Sequence, residues 1–578
     1  MNNTACPLDC YDSCEIVFQN NSIKAKKEGY TQGFLCPHLN HYEKFKIIES
    51  ASYKGKNISI EESLEILKKM LVDSAKNQIL HYRGSGNFGL MQEVTDHFFS
   101  SFEATLTEGS LCDGAGDAGI VEGRGSNKNM PLSEIAKSEV VILWGRNPHT
   151  TSSHLLPLLK DKTIIVIDPI KTDITRDAEL HIQLKPHGDY ALAMLLSRFA
   201  FLHGFCDEEY MQTYASEYEE FYELTQTIRI KATTQEIDVS LGEIGKLLNL
   251  IKNKKVAIVC GVGIQKYSDG ADVMRAIDAF ATFIALFGKE GSGVSYLGNS
   301  KEGIISPFTQ TKKRKVSKVD TLFSLYKTVF IQGANPLAQM PNTQRVENSI
   351  AKVENLIYFG LYENETSEKA DLIIPAKSFL YKNDIRTSYS HNAMIMMNKQ
   401  LESDKGISEY DLASYLCKEF DINLESEKFY IEHFKSFASK QDDGTFVVKN
   451  RENIPYKNGF DTDDGEFLFL EEYDNDFDMK QKMFLVTPKS KNSLNSQFNR
   501  EDSVYLHRDN GYKDGDIVII SSISGELKLK VKNDDNVRKD CVLIYSGTKG
   551  LNNLTSSKHS LEGKSAIFQE NKVEITKG

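Results

Sequence analysis

The chain of 578 residues has one tryptophan and 13 prolines, and no apolar run reaches the length of a spanning helix, which needs roughly 18–20 residues. Its opening, MNNTACPLDC, lacks both the charged-then-apolar pattern of a secretory signal and a twin arginine, so a cytoplasmic location is expected. Positive charge is short as well. Lys and Arg number 69 against 81 Asp and Glu, a net charge of −12, which argues against a nucleic-acid partner, since phosphate binding needs a basic face. The one basic run, TKKRKVSK from Thr311 to Lys318, is expected to be a solvated loop. Paired cysteines are missing too: nine is an odd number, and Cys112, Cys206, Cys260, Cys417 and Cys541 stand singly. A secreted disulfide framework is therefore excluded, and reduced thiols are expected.

What is present is a globular composition, 40% hydrophobic and 26% charged, on a chain long enough for several domains and a large buried ligand. The other four cysteines are concentrated at the amino terminus. Cys6, Cys10, Cys14 and Cys36 follow the pattern C-x3-C-x3-C-x21-C. Four thiolates suit a soft metal. Tetrahedral zinc usually takes paired C-x2-C knuckles, whereas the corners of an iron–sulfur cube accept three-residue gaps, and the spacing favours the cube. Pro7 and Pro37 follow two of these cysteines and stiffen the loop. Gly33 lets the backbone pass closely.

From NISIEESLEILKKMLVDS onward, helical periodicity alternates with short β-branched runs, the signature of an α/β protein. Ser63 to Val72 reads as an amphipathic helix. Glycine turns follow several strands: Gly84, Gly86 and Gly89 after QILHYR, Gly145 and Asn147 after EVVILW, and Gly188 and Asp189 in KPHGDYA. Such a turn points backbone amides at an anion, or simply makes a tight connection. The strand TIIVI ends in Asp168 and Pro169, with Thr172 close behind. In open α/β sheets ligands bind beyond such strand ends. Further strand ends lie at Gly261–Gln265 and at Gly333–Pro336, and WGRNP is echoed by QGANP, which suggests two related halves around one elongated ligand. Asp404 to Lys480 reads as a polar, acidic loop region. Beyond it, short alternating strands predict a compact β-domain that closes as a barrel.

These pieces, in this order, resemble the molybdenum/tungsten bis(pyranopterin guanine dinucleotide) oxidoreductases, the superfamily of dimethyl sulfoxide reductase and formate dehydrogenase. The most specific parts are the four-cysteine set, GSLCDGAG, IDPIKTDITRDAELHIQLKPHGDYAL, ETSEKADLIIP and TPKSKNSLNSQF. The resemblance implies an α/β multidomain architecture: a [4Fe–4S] cluster domain at 1–52, a discontinuous α/β domain at 53–135 and 338–478, a dinucleotide-binding-like α/β domain at 136–337, and a carboxyl-terminal β-barrel at 479–578. It implies Cys112 as ligand of the molybdenum or tungsten, between Gly109 and Gly114 where a bulky centre has room. It implies a [4Fe–4S] cluster on Cys6, Cys10, Cys14 and Cys36. Asp168 would recognise a guanine, Gly145 and Asn147 would line one dinucleotide, and Gly263, Gln265, Gly333 and Asn335 the other. Thr366, Asp371, Thr487, Ser496 and Asn553 are implied as further pterin or phosphate contacts.

The implied chemistry is two-electron oxo, sulfur or hydride-equivalent transfer at the metal, with electrons passing singly through the cluster to or from a separate electron-transfer protein or iron–sulfur subunit. A reductase of a small oxo or sulfur compound is expected. Two positions depart from the family pattern. Asp113 follows Cys112 where formate dehydrogenases have a histidine, which counts against formate oxidation. His38 stands two residues past Cys36 where many relatives have a lysine. Asp113 is a candidate proton donor, or else a helix cap. The alternatives are an electron-transfer subunit like the large iron–sulfur subunit of NADH dehydrogenase, a formate dehydrogenase, and a non-redox hydratase or transhydroxylase. His149 and His154 are expected to be ordinary hydrogen-bonded histidines.

Overall fold

The computed structural model describes residues 2–29, 31–86, 89–309, 314–403, 405–474 and 483–578. Two parallel sheets organise it. The smaller has five strands in the spatial order Leu180–Ile182, Thr163–Ile167, Val140–Trp144, Val256–Cys260, Gly293–Ser295, all parallel. Its central strands, VVILW and VAIVC, are buried at every residue, as expected of parallel strands covered on both faces by helices. Helix Gly270–Phe283 packs on both Gly114–Arg124 and Asp189–Leu202.

The larger sheet has eight strands. Its parallel part runs Lys315–Ser317, Thr105–Glu108, Ile79–Arg83, Thr328–Gln332, Asn355–Gly360, Leu372–Pro375. The antiparallel hairpin Ala51–Tyr53 and Lys56–Ile58 completes one edge. In the smaller sheet, and in the parallel part of the larger one, the first strand in sequence is central, with the second and third on one side and the later strands on the other. This is the doubly wound order, and its switch point is the crevice where ligands bind.

Both switch points are built from glycine pairs. Gly145 follows Val140–Trp144 and Gly261 follows the neighbouring Val256–Cys260; a Cβ on Gly261 would collide with the Gly145 carbonyl oxygen. Gly84 and Gly333 meet in the same way beyond Ile79–Arg83 and Thr328–Gln332. Gly145 and Gly333 have φ of +62° and +54°, in the left-handed region that favours glycine. The two related halves are therefore real as topology. The echoed pentapeptides are not equivalent, however: WGRNP follows the first strand of its sheet and QGANP the fourth parallel strand of the other. By topology Gly145 corresponds to Gly84, and Gly261 to Gly333.

Three sequence expectations need correction. A boundary at 337 cuts across the larger sheet, because Lys315–Ser317 and Thr328–Gln332 are hydrogen-bonded into it. The basic run is not simply a loop: Thr311 to Lys313 lie outside the described residues, but Lys315–Ser317 is an edge strand and Lys318 lines the central cavity. The acidic stretch after Asp404 carries helices Glu409–Glu419 and Glu427–Lys435. Ser408 and Ser426 cap them by accepting from the amides of Asp411 and Phe429, and Leu412, Ala413, Leu416 and Cys417 form the buried stripe of the first. Charge on the outer face hid an ordinary amphipathic period.

At the amino terminus Asn2–Ala5, Glu15–Gln19 and Ser22–Ala25 form a small antiparallel sheet. At the carboxyl end a six-stranded sheet curls so that an isolated bridge, Phe484 to Lys572, links one edge strand to the residues just before the other, a half-closed form of the expected barrel. Among the described residues no helix is long and apolar enough to cross a membrane.

Candidate functional site

Between the two sheets, the amino-terminal sheet and the barrel lies a cavity of about 1210 Å³. Both switch points open into it through Gly84, Gly333, Gly145 and Gly261. Of the residues read from the sequence, Gly86, Cys112, Asp113, Asn147, Asp168, Pro169, Thr172, Asp189, Gly263, Asn335, Thr487 and Ser496 line it too, as do Cys10 and Cys36. Cys6 and Cys14 line a second cavity instead, and five others are not lining residues, each for a local reason. Gly188 precedes helix Asp189–Leu202 with Ile237 against it. Gln265 is buried and donates from Nε2 to the Cys112 carbonyl at 2.9 Å while its Oε1 accepts from the Gly116 amide at 3.0 Å. Thr366 donates to Asn335 Oδ1 at 2.8 Å. Asp371 accepts from the Leu356 amide at 2.9 Å. Asn553 yields its place to Asn552, which lines the cavity and donates to the Ala338 carbonyl at 2.8 Å.

The cavity wall carries donors that the protein leaves unused. Arg146 Nε, Thr172 Oγ1, Gln332 Nε2 and Arg500 Nη1 are buried and have no hydrogen-bond partner, and all four residues line the cavity. A buried orphan donor is costly, so a wall with four of them suits a large ligand rich in acceptors. Gln332 was invisible to sequence reasoning as the last residue of an apolar strand. Its Oε1 is taken up by Thr95 Oγ1 at 2.7 Å and faces His81 Nε2 at 3.0 Å, which leaves the amide nitrogen over.

Asp168 sits at one end of this wall, its Oδ1 accepting from the Ile170 amide at 2.8 Å. Burial pushes its carboxyl up to about 7. A carboxyl with a folded pKa above its unfolded value binds more protons when folded, so stability falls as pH rises from about 4 towards 7. Asp168→Asn, which keeps the acceptor and removes the charge, is expected to raise the Tm of the cofactor-free chain by a few degrees at pH 8 and leave it unchanged at pH 4. An equal Tm at pH 8, read by calorimetry, would sink this.

Cys112 lies between strand Thr105–Glu108 and helix Gly114–Arg124, exposed to the cavity rather than to bulk solvent. Burial, and then the neighbouring Asp113, push its thiol up to about 12. Asp113 holds the N-cap position of the helix, yet its side chain does not cap: its Oδ1 accepts from Ser110 Oγ at 2.8 Å. Lys266, kept down to about 8 by burial, brings an ammonium close by and donates to the Leu111 carbonyl.

Cys6, Cys10, Cys14 and Cys36 converge on a second, small cavity, which shares Cys10, Asp12, Cys36 and His38 with the large one. The Cys6 amide donates to the Cys14 carbonyl at 2.8 Å and closes the loop. Burial pushes the thiols of Cys6 and Cys36 up to about 11 and about 12, and raises Cys10 and Cys14 as well. Four sulfurs, two on buried and two on half-buried cysteines, that resist ionisation alone need a cation among them to become thiolates, and that fits a soft metal group.

The support for this loop comes from far away in sequence. Arg386 is buried and donates to the Cys6 carbonyl and, at 3.0 Å, to Ser13 Oγ. Ser388 Oγ donates to the Tyr11 carbonyl at 3.1 Å, and His391 Nε2 lies 2.9 Å from the Asp12 carbonyl oxygen. His154 is hydrogen-bonded as expected, and its place is beside the cysteine loop: its Nδ1 is 2.9 Å from Asp12 Oδ2 and 3.4 Å from Cys14 Sγ, and its ring stacks on Phe34. Burial opposes charge on this imidazole, yet Asp12 raises its pKa above the usual value. His38 stands between the cavities with Nε2 at 3.1 Å from the carbonyl oxygens of both Ser490 and Ser493. The polar run RTSYSH, which starts at the end of strand Asp384–Arg386 and precedes the apolar strand Ala393–Met397, was the available signal for the Arg386 support.

Comparison with known proteins agrees with this architecture. The family profile for molybdopterin oxidoreductase matches residues 75–413, more than half of the chain. The probable oxidoreductase YyaE of Bacillus subtilis is 26% identical over 71% of this chain and 67% of its own length. The assimilatory nitrate reductase catalytic subunit of the same organism is 24% identical over 47% of this chain and 44% of its own length. The F420-dependent formate dehydrogenase subunit alpha of Methanocaldococcus jannaschii is 21% identical over 76% of this chain and 75% of its own length. Among solved structures, acetylene hydratase from Pelobacter acetylenicus superposes with a TM-score of 0.77 at 13% identity, covering 100% of both chains. With twin switch points on one cavity, unused donors along its wall and a profile match over most of the α/β body, the chain belongs to the molybdopterin oxidoreductase family.

Proposed function

We propose that this enzyme is a reductase of a small oxo or sulfur compound that works with a molybdenum or tungsten bis(pyranopterin guanine dinucleotide) and a [4Fe–4S] cluster. The observation that carries the reading is that Cys112 and the four-cysteine site open onto the same cavity through Cys112, Cys10 and Cys36. Cys112 would hold the metal, and Cys6, Cys10, Cys14 and Cys36 the cluster. The bound cofactor supplies two-electron oxo, sulfur or hydride-equivalent transfer.

The chain's own residues do the rest. Gly84 and Gly333 at one switch point, and Gly145 and Gly261 at the other, give the backbone clearance for two nucleotide arms. Asp168 and Asn147 serve one arm, and Asn335, Ser496 and Gln332 the other. Asn335 is aimed by Thr366 and by Glu365, which accepts from its Nδ2 at 2.9 Å. Ser110 keeps a hydrogen bond on Asp113 beside Cys112, and Lys266 offers positive charge on the same side. His38 provides a fixed N–H between the two cavities. The likeness to a nitrate reductase subunit supports a reductase, and Asp113 after Cys112 speaks against formate as substrate. An outside protein would exchange the electrons.

Protein purified without oxygen is expected to contain about one molybdenum or tungsten and about four iron atoms per chain. It is also expected to oxidise reduced viologen dye with one of a panel of oxo and sulfur compounds. Iron without molybdenum or tungsten would overturn the proposal in favour of an electron-transfer subunit. Addition of water to an alkyne with no dye oxidation would overturn it in favour of a hydratase.

A further inference from the structure

The segment around Cys112 has no regular structure of its own. Gly109, at φ +78°, begins it, and only at Gly114 does a helix take over. A glycine-flanked loop has many conformations to lose, so the position of its thiol depends on what grips it.

One grip comes from the five-stranded unit, through Gln265 on the Cys112 carbonyl and Lys266 on the Leu111 carbonyl. The other comes from the carboxyl-terminal barrel. Ser110 and Ser565 form a parallel bridge, and the Ala566 amide donates to the Ser110 carbonyl at 3.3 Å. Gly114 and Gly563 touch backbone to backbone: a Cβ on Gly114 would lie 2.6 Å from the Gly563 carbonyl oxygen, and a Cβ on Gly563 would strike the Gly114 carbonyl. Gly563 also has φ +69°. The turn is internally tied, since Ser560 Oγ accepts from the Ser565 amide at 2.8 Å. The two grips are joined as well, because the Gln569 amide donates to the Lys266 carbonyl at 3.1 Å.

We propose that the turn 560–565 is a positioning clamp for Cys112, so that docking of the barrel sets where this thiol stands in the cavity. The barrel also contributes Thr487 and Ser496 to the cavity wall. Enclosing the cofactor and presenting its metal ligand thereby become one event. This inference rests on Cys112 being that ligand, but its test does not.

The test uses the full chain made in medium free of molybdate and tungstate, and compares Gly114→Ala, Gly563→Ala and Gly515→Ala. Gly515 is a left-handed glycine of the same barrel at φ +86° with nothing within 4 Å of an added Cβ, so its variant reports general strain in that domain. The readouts are carbamidomethylation of Cys112 by iodoacetamide and hydrogen exchange of residues 109–116, both by mass spectrometry. Gly114→Ala and Gly563→Ala are expected to raise both rates by about tenfold through local opening, while Gly515→Ala matches the parent. Parent-like rates in the two clash variants would overturn the clamp, and so would equal rises in Gly515→Ala. Gly114→Ala decides the question if Gly563→Ala does not fold, because residue 114 starts a helix and the Gly563 carbonyl is its main obstacle. Failure of the ligand reading would appear separately, as parent-like turnover in a cofactor-loaded Cys112→Ala variant.

Discussion

Cys112→Ala is expected to lower turnover with any accepted oxidant by more than about 100-fold, beyond the usual effect of a residue that merely supports a metal ligand. The iron content and the visible spectrum of the cluster are expected to stay as in the parent. The effect should be local because the side chain faces the cavity rather than packing in a core, so its loss costs about 0.5 kcal/mol of stability or less. Cys112→Ser, which leaves an oxygen ligand available, is expected to keep molybdenum or tungsten with reduced turnover. Metal analysis and steady-state rates on the two variants check this together. Parent-like turnover in Cys112→Ala would remove the residue from the active site.

The second large effect concerns the four-cysteine site. Cys36→Ala is expected to take iron from about four to well below one atom per chain and to abolish the paramagnetic signal of the reduced cluster. Dye-linked turnover falls with it. Stability should fall too: Cys6, Leu8, Cys14, Ile16 and Leu39 pack in one small apolar cluster around this site, and a structural metal contributes directly to folding in so small a unit. Limited proteolysis is expected to cut first within residues 6–36. A variant that keeps four irons per chain would show that Cys36 is not a ligand.

These two effects were within reach of sequence reasoning because both depend on residues close together along the chain. C-x3-C-x3-C places three sulfurs on one loop whatever the rest of the fold does, and a cysteine among glycines marks a loop with room beside it. The strands VVILW and VAIVC likewise declare themselves by length and branching, and the glycine that ends each declares the turn.

Distance in sequence hid the rest. Gln265, read as a contact to the cofactor, instead holds the backbone of Cys112, 153 positions away. His154, read as a hydrogen-bonded histidine, takes as its partners Cys14 and Asp12, the latter 142 positions away. Arg386 supports the cysteine loop from 380 positions away. No local pattern records such pairings, because the hydrogen bonds form only once the sheets have been laid side by side.

Alone, the order of residues determined that this is an α/β protein with a thiol-rich amino terminus, glycine turns at its strand ends and a β-rich tail, since periodicity and turn chemistry act over a few residues. Only the tertiary structure decided that two doubly wound sheets turn their switch points towards one chamber, which donors there are left unpaired, and which distant segments grip Cys112. Those outcomes depend on strand order and on how tightly backbones approach, and both are properties of the packed chain as a whole.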